Sequence, residues 1–236
     1  MCTRSIFSIA LPVFVVTLAA PLRPSDAAQE KTPPASAPTA TWKGDPYTLA
    51  TDAVSGEALG PIEKQTKIDH EGRELRFATK ENAEKFKADP KKYLAAVDAK
   101  MIADQKTVYP LDTCLVTGDK LGAGAVDIVY KNRLVRLSSK EHEAKFLEDP
   151  VKSIQKLDSA VAAKQGPTYA AKKCAVTDED LGSMGKPFDY VVGNRLIRLC
   201  CKGCKSDVMK DPMKYLTFPD RKNATEAGEK AKDSKG

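Results

Sequence analysis

Four cysteines toward the C-terminal end of the chain are the residues most able to do chemistry. Cys200, Cys201 and Cys204 lie in one short stretch, and Cys174 precedes them. Thiolates at the end of a hairpin and at the start of the following helix can converge on one point, where backbone N–H groups stabilise the sulfur charge. Four soft sulfur donors favour Zn²⁺ or Cu(I) over hard cations. The sequence therefore predicts one soft metal ion per chain, bound by Cys174, Cys200 and Cys204, with Cys201 as the fourth or exchange ligand.

The same thiols have two other interpretations, and the sequence leaves both open. If the chain is exported, an oxidising compartment favours a disulfide from Cys174 to Cys200 or Cys204, which would make the chain a stapled scaffold for protein interaction. A thiol oxidoreductase is the third interpretation, because Cys201-Lys202-Gly203-Cys204 has Cys-x-x-Cys spacing. The sequence lacks an ordered Ser/His/Asp set and a glycine-rich phosphate loop, so we expect a binding protein and not an enzyme.

The elements that position these thiols come from a threefold repeat of about 60 residues. Each copy has a Val-(Ser/Thr) stretch that leads to Leu-Gly, then two β-prone runs, then Asp-Pro. The Leu-Gly pairs are Leu59-Gly60, Leu121-Gly122 and Leu181-Gly182, and the Asp-Pro pairs are Asp89-Pro90, Asp149-Pro150 and Asp211-Pro212. We predict a first repeat at 47–108, a second at 109–168 and a third at 169–220.

Each repeat has the pattern of a hairpin followed by two helices. Residues able to take positive φ separate the β-prone runs at Glu71-Gly72, Lys131-Asn132 and Gly193-Asn194. Helices are predicted after the hairpins at Lys80–Ala88, Lys140–Glu148 and Lys202–Lys210, with Phe86, Phe146 and Val208 in the core. Asp-Pro then starts a second helix, with Asp as N-cap and Pro at its first position. In the first two repeats this helix is long and has one apolar face, so we expect it to connect neighbouring modules.

Superposing the repeats aligns the cysteines with less typical ligands. Cys114 and His142 of the second repeat fall at the positions of Cys174 and Cys204, and form a weak candidate for a second metal site. Alternatively His142 faces water, and Cys114 is a free thiol or pairs with another chain. In the first repeat Asp52 is expected to be an ordinary surface acid, and His70, beside the hairpin turn, is expected to be exposed. The aligned sets are Cys174, Cys200, Cys201 and Cys204; Cys114, Ser138, Ser139 and His142; and Asp52, Ala78, Thr79 and Asn82.

The third repeat resembles the TRASH and YHS domains, a family of small treble-clef-like metal-binding modules. Their pattern is a leading Cys, a hairpin, Cys-x3-Cys, and a helix that runs into Asp-Pro-x-Lys-Tyr. The resemblance covers most of 47–218, strongly only in the third repeat, and makes the first two degenerate copies. It implies an α+β fold of tandem treble-clef or zinc-ribbon-like β-hairpin–helix modules, and heavy-metal binding for sensing, trafficking or resistance. The matching residues are Cys174, Cys200, Cys204 and Asp211-Pro212-Met213-Lys214-Tyr215, with Phe86 and Asp89-Pro90-Lys91-Lys92-Tyr93 retained in the first repeat.

The N-terminal segment of the chain indicates export. Arg4, the apolar stretch from Ile6 to Ala20, and Ser25 and Ala27 before a cut are typical of a signal peptide at 1–27, with an uncleaved anchor as the alternative. Residues 28–46 and 221–236 have the composition of a disordered linker and a disordered tail.

The basic residues behind the net charge of +6 are scattered among acids, so nucleic acid is not expected as a partner. We expect a periplasmic or secreted protein with no membrane span after cleavage, whose partners are a soft metal ion and an envelope or secreted protein.

Overall fold

The computed structural model describes residues 42–216, and this part of the chain is α+β. It contains small antiparallel sheets of two strands each, and every hairpin is followed by two helices. None of its helices is long and apolar enough to cross a membrane. The predicted signal peptide, most of the linker and the tail lie outside the described residues. The elements are β1 (Thr66–His70), β2 (Arg73–Phe77), α1 (Lys80–Ala88), α2 (Pro90–Lys106), β3 (Val126–Tyr130), β4 (Arg133–Leu137), α3 (Glu141–Glu148), α4 (Pro150–Gln165), β5 (Phe188–Val192), β6 (Arg195–Leu199), α5 (Lys205–Lys210) and α6 (Pro212–Leu216).

The three hairpin turns are confirmed. Both central residues of each turn adopt positive φ, with 45° and 68° at Lys131 and Asn132 as one example. A type I′ turn requires this conformation at both positions, and its twist matches that of the two strands it joins. Glycine or asparagine therefore stands at one or both positions of every turn, and the register of each hairpin is set by it.

The helix starts follow the predicted Asp-Pro chemistry. The carboxylates of Asp89, Asp149 and Asp211 accept from the backbone N–H three residues ahead, at 3.3, 3.0 and 3.4 Å. Each proline occupies the first helical position, where its missing N–H has no cost. These caps confirm the prediction and fix the angle between the two helices of each repeat.

The first helix of each repeat differs slightly between the copies. Lys80–Ala88 is confirmed as α1, and α3 begins one residue later than predicted. The segment predicted as one helix at Lys202–Lys210 is divided, because Lys202–Cys204 forms a 3₁₀ turn before α5. The tighter turn, which closes its hydrogen bonds over three residues instead of four, carries Cys204 at its end.

Each repeat has its own small core. Phe86, Phe146 and Val208 are fully buried, as predicted, and pack against the second strand of their hairpins. The core of the third repeat differs from the others, because Cys174, Cys200 and Cys204 are part of it. Fewer large apolar side chains are therefore left to hold this module together.

The long second helices connect the repeats, as predicted. Helix α2 packs on β3 and β4, and α4 packs on β5 and β6. Near the end of α2, the buried Gln105 side chain donates to Asn132 O at 2.8 Å and accepts from Leu134 N at 2.8 Å. At the end of α4, Gln165 makes the same pair of contacts with Asn194 O and Leu196 N, again at 2.8 Å. A glutamine thus pairs with the backbone of the next hairpin at both junctions.

A buried ion pair joins the segment before the first repeat to the hairpin turns of the second and third repeats. Arg133 is fully buried and donates to both carboxylate oxygens of Asp45 at 2.6 and 2.9 Å, and to Asp158 at 2.5 Å. Asp45 also accepts from Gly193 N at 2.6 Å, which ties the third repeat to this centre. Asp45 belongs to residues that the sequence assigns to the linker, so the packed part of the chain begins earlier than the first repeat. Such a desolvated pair is stable only when its remaining polar atoms are satisfied, as they are here.

Replacing Gln105 with Leu should destabilise the protein by roughly 2–4 kcal/mol, because the buried Leu134 N–H and Asn132 C=O would lose their partners. Urea unfolding followed by circular dichroism measures this. The matched control is Gln155→Leu on the exposed face of α4, which should change stability by about 0.5 kcal/mol or less. Equal effects of the two substitutions would show that the bridge between repeats does not stabilise the fold.

Candidate metal centre and its two counterparts

A tight turn before each hairpin places one side chain at the same position in all three repeats. Short β-bridges frame these turns at Thr51↔Ala58, Thr113↔Lys120 and Lys173↔Asp180. Inside them, the backbone N–H of Asp52, of Cys114 and of Cys174 donates across the turn, each at 2.7 Å. The structure therefore brings an aspartate and two cysteines into equivalent places.

In the first repeat this position holds a buried carboxylate surrounded by donors. One oxygen of Asp52 accepts from Val54 N and Ser55 N at 2.7 and 2.9 Å. The other accepts from Ala78 N at 2.6 Å and from the Asn82 side chain at 3.1 Å. Burial raises the pKa of Asp52, but these hydrogen bonds together lower it by more, so the net pKa is below its ordinary value. The expectation of a surface acid is wrong: Asp52 is 2% exposed, because four donors replace the water that its charge would need.

The same nest of donors surrounds the thiol of the second repeat. Burial raises the pKa of Cys114, but the hydroxyl and N–H of Thr117 and the N–H groups of Ser138 and Val116 lower it to about 6. These are the positions of Ser55, Ala78 and Val54 in the first repeat. A backbone arrangement that binds a carboxylate therefore binds a thiolate when cysteine replaces aspartate.

The third repeat repeats this arrangement around Cys174. Burial raises the pKa of the thiol, but the N–H groups of Cys200, Thr177 and Val176 and the Thr177 hydroxyl lower it to about 7. The Val176 N–H lies 3.5 Å from the sulfur. Cys174 is therefore prepared as an anion near neutral pH before any other ligand is considered.

Three of the four predicted sulfurs come together in the third repeat. The Sγ atom of Cys204 lies 3.9 Å from that of Cys174 and 3.7 Å from that of Cys200, and the three ligand atoms lie within 4.8 Å of one another. For Zn–S bonds of about 2.3 Å, tetrahedral geometry separates two sulfurs by about 3.8 Å. The three buried thiols thus fit one face of a tetrahedral thiolate site.

Without a metal ion, Cys204 keeps its proton. Burial raises the pKa of Cys204, and hydrogen bonds to the sulfurs of Cys200 and Cys174 raise it further. A cation at the centre of the three sulfurs would reverse this, because it stabilises the thiolate form of every ligand. The five cysteines of residues 42–216 are not disulfide-bonded in this arrangement.

The fourth predicted ligand, Cys201, lies beside the cluster and is not one of its three ligand atoms. It precedes the 3₁₀ turn and is only partly buried. The N–H groups of Gly203 and Cys204 at the start of this turn lower the pKa of Cys201. Cys201 is therefore a partly exposed thiol with thiolate character next to the three buried ones.

The structure also brings together the two candidate ligands of the second repeat. The Cys114 sulfur lies 3.8 Å from His142 Nδ1, the same separation as in the Cys174–Cys204 pair within about 0.1 Å. The hydroxyl oxygens of Ser138 and Ser139 lie 3.0 and 3.4 Å from this nitrogen. His142 is half-buried and its Nδ1 faces the thiol, so it does not simply point into water.

Sequence reasoning misses the role of Asn82 and misjudges His70, for which it predicts an exposed side chain. Asn82 donates to Asp52 and so closes the first site, a role that its alignment with His142 and Cys204 could have indicated. His70 is half-buried, because its ring packs edge to face on Phe86 with ring centroids 5.3 Å apart. It lies in a hairpin and takes no part in the donor nest.

Replacing Asp52 with Asn should destabilise the protein by about 1–3 kcal/mol at pH 7, because an amide NH₂ would face one of the backbone donors. Folding lowers the pKa of Asp52, so the stabilisation from its charge is complete above about pH 4 and is lost as the pH falls through the lowered pKa. The difference from the unmodified protein in urea unfolding should therefore shrink below about pH 4. Asp112 is exposed, so Asp112→Asn serves as the control and should leave the free energy of unfolding unchanged at both pH values. A destabilisation by Asp52→Asn that does not vary with pH would contradict the proposal that the donors stabilise a charged carboxylate.

Similarity to known proteins does not identify this chain. No family model matches it, and neither a curated protein nor a solved structure matches it. The functional argument therefore depends on the geometry of the three equivalent sites and on the chemistry of their side chains.

Proposed function

We propose that this chain is an exported heavy-metal-binding protein that binds zinc or copper through the third repeat and acts in metal trafficking, sensing or resistance. One observation carries the proposal: three buried sulfurs lie at 3.7–3.9 Å contacts around Cys204, the spacing expected for ligands of one tetrahedral ion. The apolar N-terminal segment supports export. Membership in the TRASH and YHS family, with treble-clef modules, is part of the same proposal.

The ligands would divide the work of binding. Cys174 is prepared as a thiolate by backbone donors, whereas Cys204 carries the proton that the metal must displace. Thr177 Oγ1 lies 3.5 Å from the Cys200 sulfur and is able to donate to it, which would fix that ligand in position. Proton release on binding makes the affinity fall with falling pH.

Three sulfurs leave the fourth position of a tetrahedral ion to be filled. Among the described residues Cys201 is the candidate, because it packs against the cluster, is partly exposed and has a lowered pKa. A ligand that enters and leaves this position would allow the ion to pass to another protein, as trafficking requires. A site closed by four buried ligands would instead be purely structural.

The other repeats support a binding function better than a catalytic one. The first repeat closes its site with hydrogen bonds from Asn82 and backbone groups, so that it holds no free ligand. The second repeat packs between the other two through α2 and α4. We propose that these repeats are a scaffold and a surface for an envelope or secreted partner.

In the protein purified without reductant from its export compartment, the third repeat should contain about one equivalent of zinc or copper. Cys204→Ser should remove this equivalent, because Cys204 contacts both other sulfurs. Cys201→Ser is the matched control: it should retain the metal and speed its transfer to a chelator. Elemental analysis and free-thiol counts measure the metal content and the thiol state of both variants. Metal-free protein with a disulfide to Cys174, found by peptide mapping, would replace the metal site with a stapled scaffold.

Removal of the metal should loosen the third repeat selectively. Its core contains the three sulfurs, and without the ion only weak thiol hydrogen bonds connect them. Hydrogen exchange after chelation should show lost protection in β5, β6 and α5, while β1 and β2 remain protected as an internal control. Uniform protection before and after chelation would mean that the ion does not stabilise the module.

A further inference from the structure

We propose that the second repeat has a separate binding site for Cu(I), formed by the Cys114 thiolate and the His142 imidazole. This site is independent of the proposed cysteine centre, since it uses no residue of the third repeat. The observation behind it is the pairing of a buried sulfur with a ring nitrogen at 3.8 Å, at the position where the third repeat pairs two sulfurs.

The distance between the two atoms fits an ion between them. With bonds of about 2.3 Å to sulfur and about 2.0 Å to nitrogen, a separation of 3.8 Å gives a ligand–metal–ligand angle of roughly 125°. This angle is wider than the tetrahedral one, and the shorter bonds of Cu(I) would open it further. The pair therefore suits an ion of low coordination number better than a tetrahedral one.

Both donors are held in place before an ion arrives. Three backbone N–H groups and the Thr117 hydroxyl surround the Cys114 sulfur and favour its anionic form. His142 is fixed at the start of α3, and its Nδ1 lies within 3.0 Å of the Ser138 hydroxyl. The neutral imidazole tautomer with its proton on Nε2 has an unprotonated Nδ1, which is the form that binds a metal.

The donor set selects Cu(I) over Zn²⁺. Among the described residues no further Cys, His, Asp or Glu joins this pair, since the only such group of three is that of Cys174, Cys200 and Cys204. A structural zinc ion needs four ligands, whereas a thiolate and an imidazole suffice for the softer Cu(I). The first repeat differs from the second at this point. Its Asn82 side chain donates an N–H to Asp52, and an amide nitrogen has no lone pair with which to bind a cation.

An anaerobic titration of the full chain with Cu(I), in competition with the chromophoric chelator bicinchoninate, tests the site. Cys114→Ser and His142→Asn should each bind one equivalent of Cu(I) fewer than the unmodified protein. Asparagine is the residue at the same position in the first repeat, so the fold should tolerate it. His70→Asn, at the chain's other histidine, is the control and should bind the full amount.

Two outcomes would overturn the site. If Cys114→Ser lowers the Cu(I) count and His142→Asn does not, the thiol binds copper alone and the pair is only a hydrogen bond. If neither substitution changes the count, the second repeat binds no Cu(I). X-ray absorption of the Cys204→Ser protein loaded with Cu(I) should show a nitrogen neighbour that His142→Asn removes. The same titration shows separately whether the centre of Cys174, Cys200 and Cys204 binds copper. If it does not, Cys204→Ser leaves the number of bound Cu(I) equivalents unchanged, while Cys114→Ser and His142→Asn still lower it.

Discussion

The common physical constraint on the three repeats is a set of backbone N–H groups that point at one buried place and require a negative charge there. In the first repeat the donors are Val54, Ser55 and Ala78, and the anion is the Asp52 carboxylate. Leaving such donors unpaired in a small core would cost about 1–3 kcal/mol each. The turn before each hairpin thus selects for an acidic side chain, and the chemistry of a repeat depends on which acid occupies it.

The three repeats satisfy this constraint to different degrees. A carboxylate has enough acceptor capacity to use every donor, so the first repeat is complete without help from solution. A thiolate is larger and softer, and in the second repeat it leaves room for the His142 nitrogen at 3.8 Å. In the third repeat two more sulfurs converge on the thiolate, and burial together with the hydrogen bonds to those sulfurs raises the pKa of Cys204. The more sulfur a site contains, the more it needs a cation from outside.

Local sequence patterns predict the elements well, because the elements depend on local chemistry. The turns at Lys131-Asn132 and Gly193-Asn194 need residues that accept positive φ, and the Asp-Pro pair that follows each hairpin caps and starts a helix. The alignment of the repeats also pairs Cys114 with His142 and Cys174 with Cys204, and both pairs are in contact in the folded chain. These contacts follow from copying one module, so a residue's partner in one copy indicates its partner in the others.

The ion pair of Asp45 could not be read in the same way, because it belongs to no repeating pattern. Asp45 precedes the first repeat in a stretch that looks like linker, yet it is the partner of Arg133 and of the Gly193 N–H. Nor does spacing in the sequence distinguish Cys200 from Cys201. Both follow the end of strand β6 at Leu199, but only Cys200 lies with Cys174 in the cluster of three sulfurs.

The position of the third repeat links its proposed metal site to the rest of the molecule. Helix α5 begins directly after Cys204, and the carbonyl of Lys210 at its other end accepts from Arg76 of the first repeat at 3.0 Å. This helix has only six residues, too few to be stable alone in water, so its geometry depends on what holds each end. An ion bound to Cys204 would fix one end, and the arginine would fix the other. The contact that joins the third repeat to the first is therefore carried by the same short helix that begins beside Cys204, a proposed metal ligand.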